Sequence, residues 1–95
     1  MDRRIDGAVI LDEASFHREL AKVIELPGYY GKNLDALWDV MTVDVPGPLV
    51  LIWENSEVSR MGMTERFDLI VKVLRKVELR DIEAGRVDAF RLILA

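Results

Sequence analysis

The sequence predicts an α/β fold built on a small, mostly parallel β-sheet, and three observations carry that expectation. Segments of strand and helix character follow one another in the order strand, helix, helix, strand, helix, strand, as in parallel strands joined by helical crossovers. The run "PLVLIWE" (Pro48–Glu54) is continuously apolar and rich in strand formers, the pattern of a strand covered by helices on both faces. Three further stretches repeat apolar residues at helical spacing. With 95 residues and 51% hydrophobic content, the chain suits one domain (residues 1–95) around one modest core.

Taken in order, Arg3–Ile5 reads as a short strand closed by the Asp6-Gly7 turn signal. Asp12 or Ser15 can cap the helix that follows, whose apolar stripe is Phe16, Leu20, Val23 and Ile24. His17 lies off that stripe. With no second histidine or cysteine to make it a metal ligand or a nucleophile's base, it reads as a surface residue. Pro27-Gly28 has the residue order of a type II turn, with positive φ at Gly28, and Gly31 adds a second joint. Glu25–Lys32 is therefore a short structured loop. Asn33 can cap a helix running to about Val43, with Leu34, Leu37, Trp38 and Met41 at i, i+3, i+4 and i+7. Pro46-Gly47-Pro48 stops it, and the apolar strand follows. Thr64 is placed to cap the longest helix, with Phe67, Ile70, Val71, Leu74 and Val77 on one face. Gly85 can end that region in the left-handed conformation, and Ala89–Leu94 reads as a last strand.

Composition narrows the function. No cysteine is present, so neither a disulfide framework nor a thiolate metal site is available. The start, "MDRRIDGAVI", lacks the apolar core of a secretion signal, and no apolar run reaches membrane-spanning length, so the chain reads as soluble and cytoplasmic. The net charge is only -4, yet it is unevenly spread. Between Lys32 and Arg60 there is no basic residue, while Asp35, Asp39, Asp44, Glu54 and Glu57 all fall in that window. From Arg60 to Arg80 the cations outnumber the acids. An acidic side of this kind repels nucleic acid and steers basic protein surfaces toward itself.

Asp35 and Asp39 lie one helical turn apart, where like charges repel. Three readings account for them. A solvated helix face suits Asp35, which the helix dipole favours in the first turn, better than Asp39, which lies further along. A catalytic or magnesium-binding carboxylate pair lacks a histidine partner, a glycine-rich phosphate loop or a third acid at motif spacing. The third is an anionic knob for a basic pocket on another protein. Tyr29, Tyr30 and Trp38 add rigid amphipathic surface to the same short segment, and Thr42 continues the acidic strip. Trp38 reads equally well as core packing.

The stretch "LPGYYGKNLDALWD" (Leu26–Asp39), followed by "PLVLIWE", resembles the barstar family of intracellular inhibitors of secreted bacterial ribonucleases of the barnase type. The resemblance runs from the Asp6-Gly7 turn through His17 and the central motif to the apolar strand. It implies a three-stranded parallel sheet packed with about four helices, and an inhibitor that inserts one helix and its preceding loop into the active site of a guanyl-preferring enzyme. Asp39 would take the place of the substrate phosphate among catalytic Arg and His groups. Asp35 would meet a neighbouring basic residue and Tyr29 would stack on the catalytic histidine, with Tyr30 beside it. Gly31, Asn33, Leu34, Trp38 and Thr42 would complete the surface. The complex would be one-to-one, the free protein monomeric, and no cofactor, metal, nucleic acid or membrane is implied. Repulsion within the acidic pair costs a few tenths of a kcal/mol. Close interfacial charge pairs contribute about 1.5–7 kcal/mol, a range measured on complexes of this very family. Three departures bear on the partner. Lys76 stands where relatives can carry an acid, with Glu78 the nearest carboxylate; "RKVELRDIEAGRVDAF" (Arg75–Phe90) is long; and Val43-Asp44 replaces a Gly-Trp pair. A different basic partner, such as another nuclease toxin, is the alternative.

Overall fold

The apolar run after Pro48 becomes the middle strand of a three-stranded, all-parallel sheet. A computed structural model of the chain describes residues 1–45 and 47–95; the expected helix stop at Pro46 thus lies outside the described residues. The elements are β1 (Asp2–Asp6), α1 (Glu13–Val23), α2 (Leu34–Asp39), β2 (Val50–Glu54), α3 (Ser56–Met63), α4 (Glu65–Glu83) and β3 (Arg91–Leu94). Sheet order is β1-β2-β3 and both pairings are parallel, so α1 and α2 form one crossover and α3 and α4 the other. The predicted α/β class holds.

Each element can be traced to its residues. At the start of α1, the Asp12 carboxylate accepts the Ser15 amide at 2.7 Å and the Ser15 hydroxyl accepts the Asp12 amide at 3.1 Å, so the two cap candidates act together. The Ser15 side chain first, and the Ser15 amide second, hold the Asp12 carboxyl below its ordinary pKa. The core forms around Trp53. Its ring stacks on Phe16 with centroids 5.1 Å apart and tilts against Phe67 at 5.0 Å, so α1 and α4 meet on one indole. The indole N–H donates to Ser59 at 3.1 Å, and the Ser59 hydroxyl donates to the Gly7 carbonyl at 2.9 Å. Burial therefore leaves neither group unpaired. Gly7 itself lies so close to the Asn55 carbonyl that no side chain fits there.

The structure differs from the sequence reading at three points outside the site. First, helices cover only one face of the sheet. In register with Ile52, Arg4 and Ile93 point to the other face, where Asp2, Asp6 and Arg91 are also exposed. Ile52 is still buried because a central strand has a neighbour on each side, which a run of apolar letters cannot distinguish from a second helix layer. Second, α3 is an additional helix. It touches the core mainly through Ser59 and Met63, while its apolar Val58 and Met61 are exposed, so its apolar letters do not mark the face it buries. Third, Thr64 stands at the N-cap of α4 as expected, but its side chain makes no capping bond. Its backbone sits at φ 53°, its hydroxyl donates to the Met63 carbonyl, and it makes the one-residue corner between α3 and α4.

The long Arg75–Phe90 segment is the last part of α4 plus its return to β3. Gly85 adopts φ +69° as expected. Along the outer edge of β3, Glu78 accepts the Leu92 amide at 2.9 Å and Arg75 donates to the Leu92 carbonyl at 2.7 Å. Asp81 accepts the Phe90 amide at 2.9 Å. Side chains of α4 thus occupy backbone groups that an edge strand would otherwise expose.

Candidate functional site

Between α1 and α2 the chain forms a loop whose turn sits one residue later than predicted. The Tyr30 amide donates to the Pro27 carbonyl at 3.0 Å, placing Gly28 and Tyr29 in the centre. Gly28 does not have positive φ; the left-handed residue is Lys32, at φ 54°, just before the chain enters α2. The type II reading is therefore corrected, because proline supplies the turn's first carbonyl and not its second residue.

The two tyrosines point opposite ways. Tyr29 is 78% exposed and its hydroxyl donates to Asp44 at 3.2 Å; this bond to a carboxylate pushes the phenol pKa up. Tyr30 is half-buried, with its hydroxyl 2.6 Å from Nδ1 of His17. His17 is not a surface residue. It is 1% exposed, and its Nε2 lies 3.0 Å from Glu13. An imidazole with both nitrogens bonded keeps its hydrogen bonds on burial, which removes the main penalty.

Asn33 caps α2 as expected, accepting the Ala36 amide at 2.8 Å. Leu37 and Met41 enter the core, while Leu34 and Trp38 are half-buried against its edge, so Trp38 divides its surface between core and solvent. The helix then widens into a π turn, Val40–Asp44, closed by the Val45 amide on the Val40 carbonyl at 2.9 Å. Thr42 donates back to the Trp38 carbonyl at 2.8 Å.

This widening places the charges. Residues five apart lie about 140° apart round a regular 3.6-residue turn, so Asp44 would leave the face of Asp39. With i to i+5 bonding it stays. Asp35, Asp39 and Asp44 together line a hollow of about 310 Å³ whose rim includes Tyr29, Gly31 and Asn33. Among the described residues, the carboxylates of Asp35 and Asp39 have no hydrogen bond or ion pair, and Asp44 is engaged by Tyr29 alone. The other acids of the same sequence window are spent elsewhere: Glu54 pairs with Arg4 at 3.6 Å on the open sheet face, and Glu57 pairs with Arg60. Among the described residues, no group of three His, Cys, Asp or Glu side chains is arranged to hold a metal ion. Among the described residues, no helix is long and apolar enough to cross a membrane.

Residues 1–94 match the family model described as "Barstar (barnase inhibitor)". The chain belongs to the barstar family. It is also 37% identical over 79 residues to "Putative ribonuclease inhibitor YrdF" of Bacillus subtilis (strain 168), covering 81% of this chain and 87% of that protein. The three-stranded parallel sheet with its four helices is the fold that the barstar resemblance implies.

Among the residues expected on a barstar binding surface, Tyr29, Tyr30, Gly31, Asn33, Asp35 and Asp39 come together around the hollow. Leu34 and Trp38 instead line a neighbouring hollow of about 280 Å³ shared with Asp35, Val73 and Lys76. Lys76 therefore stands beside the acidic helix, whereas Glu78 is turned away to β3. Sequence reasoning counted Asp44 in the acidic window but did not assign it to the site. Its one signal, a position five residues after Asp39, points off the face in an ordinary helix.

Proposed function

We propose that the chain is an intracellular, non-enzymatic protein inhibitor of a basic, guanyl-preferring microbial ribonuclease of the barnase type. The observation that carries this reading is the set of three aspartates facing one hollow, two of them unpaired among the described residues, next to an exposed tyrosine. Charges left unneutralised by their own fold are available to a cationic cleft, where each would gain charge-assisted hydrogen bonds. Barstar family membership and the Bacillus relative, named "Putative ribonuclease inhibitor", support the same role. In the complex, one inhibitor meets one enzyme. Asp39 occupies the position of a substrate phosphate, Asp35 meets a neighbouring cation and Tyr29 stacks on the catalytic histidine. Gly31, Asn33, Leu34, Trp38 and Thr42 complete the contact. The inhibitor acts in the cytoplasm.

Lys76 favours a second reading. A cation beside Asp35 and Trp38 would repel the basic rim of a barnase-type enzyme, so the cognate partner could be a different basic nuclease with a neutral or acidic group opposite it. Titrating the purified protein into a fixed amount of a barnase-type ribonuclease tests the first reading. Hydrolysis should fall linearly to an end point at equal molar amounts, and the protein alone should hydrolyse nothing with or without magnesium. Full nuclease activity in the presence of excess protein would leave the second reading standing.

A further inference from the structure

His17 is the one buried imidazole, and the inhibitory mechanism makes no use of it. Both ring nitrogens are occupied, and by residues from different parts of the chain. Nε2 lies 3.0 Å from Glu13, one turn earlier on α1, and Nδ1 lies 2.6 Å from the Tyr30 hydroxyl in the loop. The second oxygen of Glu13 is 3.4 Å from Arg66 on α4. Phe16 packs edge-on against the imidazole at 5.3 Å, and the Tyr30 ring does the same at 5.4 Å.

The chemistry orders the protons along this chain of contacts. An ionised carboxylate only accepts, so Nε2 carries the hydrogen facing Glu13 and Nδ1 is left as an acceptor. The Tyr30 hydroxyl then donates to it. Burial, followed by the negative charge of Glu13, pushes the ionisation of Tyr30 upward, which keeps the phenol protonated for that role.

The loop needs such an anchor. Its turn bond, Tyr30 amide to Pro27 carbonyl, is internal and does not tie the loop to the body of the protein. Lys32 holds a left-handed backbone that a non-glycine residue adopts only at a cost, so the loop's shape must be imposed by contacts. Among the described residues, two side-chain hydrogen bonds from its tyrosines reach elements outside the loop. The bond from Tyr29 to Asp44 is exposed and open to competition from water or a partner. The bond from Tyr30 to His17 is the one shielded from solvent.

We propose that Glu13, His17 and Tyr30 are positioning residues for the binding loop. Their relay fixes Pro27–Lys32 against α1, so that Tyr29 and Gly31 stand at the rim of the acidic hollow before any partner arrives. Ordering the loop in advance removes a cost that would otherwise be met on association, and the gain appears chiefly as slower dissociation. The binding half of this inference rests on the ribonuclease-inhibitor reading; the loop-ordering half does not.

Three single variants test it: Tyr30→Phe, Glu13→Ala and Glu13→Gln. In the free wild-type protein, the ring nitrogens of His17 should show the signature of the Nε2–H tautomer by nitrogen NMR. Tyr30→Phe and Glu13→Ala should speed amide exchange at Gly28–Lys32 by about tenfold, the loss of one net hydrogen bond, while β2 and α4 stay protected. Glu13→Gln retains an acceptor for Nε2–H and should keep wild-type loop protection. Against a barnase-type ribonuclease, the two loosening variants should dissociate faster by a similar factor and Glu13→Gln should not. Unchanged loop exchange, equal acceleration of every amide, or failure of Glu13→Gln to restore protection would overturn the proposal. If the loop loosens as expected but even the wild type fails to inhibit the nuclease, the positioning relay stands and the ribonuclease reading falls.

Discussion

Replacing Asp39 by alanine should move stability and inhibition in opposite directions. In the free protein the carboxylate is exposed and, among the described residues, has no hydrogen bond or ion pair to lose. Its removal ends the repulsion from Asp35 one turn away, a relief of about 0.2–0.5 kcal/mol. Alanine is also the better helix former, by up to about 0.7 kcal/mol. A net gain of about 0.5 kcal/mol is expected, and for a domain of this size it corresponds to a rise in Tm of roughly 2–4 °C. In the proposed complex the same change would leave the partner's cations buried and uncompensated. Breaking a buried pair from one side costs about 3–5 kcal/mol, which lies within the range of charge coupling measured on complexes of this family. Inhibition should weaken by about two to four orders of magnitude. Calorimetric melting of the free variant and titration of nuclease activity measure the two halves separately. Normal inhibition by the variant, or a loss of inhibition that tracks a fall in Tm, would refute phosphate mimicry and return Asp39 to a solvated helix face.

Three other outcomes are expected. With Asp35, Asp39 and Asp44 on one face, association with a basic nuclease should slow by about tenfold or more between low and physiological salt while dissociation changes less, and a flat association rate in stopped-flow mixing would contradict charge steering. Lys76→Glu should tighten binding to a barnase-type enzyme by about tenfold, because the hollow that Lys76 shares with Asp35 and Trp38 lies against α2, the helix proposed to enter the enzyme; unchanged or weaker binding would place that hollow outside the interface. Ser15 holds the Asp12 carboxyl below its ordinary value of 3.8, so the stability linked to its ionisation is complete above pH 3.8 and disappears as pH falls through the lower folded-state value. Asp12→Asn keeps a capping acceptor but cannot titrate; its urea midpoint should fall less than that of the wild type between about pH 4.5 and about pH 2, and an equal fall would assign the acid sensitivity to other carboxylates.

Local chemistry alone determined much of this protein. Asp12 with Ser15, Asn33 and Gly85 announce element ends because capping and left-handed turns act over three or four residues, a range that sequence spacing encodes directly. The stripes through Phe16, Leu37 and Phe67 mark helices for the same reason, and the motif from Leu26 to Asp39 was specific enough to point to the barstar family. Tertiary structure decided whatever depends on partners distant in the chain. His17 is buried because Tyr30, thirteen residues on, folds back over it, and no periodicity within α1 signals that contact. Helix α3 escaped notice because it meets the core through Ser59, whose hydroxyl serves a tryptophan in β2 and a carbonyl beside β1. The open sheet face was hidden by the burial of a central strand. Asp44 reaches the site only because the helix widens after Asp39, and a change of helical pitch, like the choice of which acids stay unpaired, is set by packing around the segment and not by the letters within it.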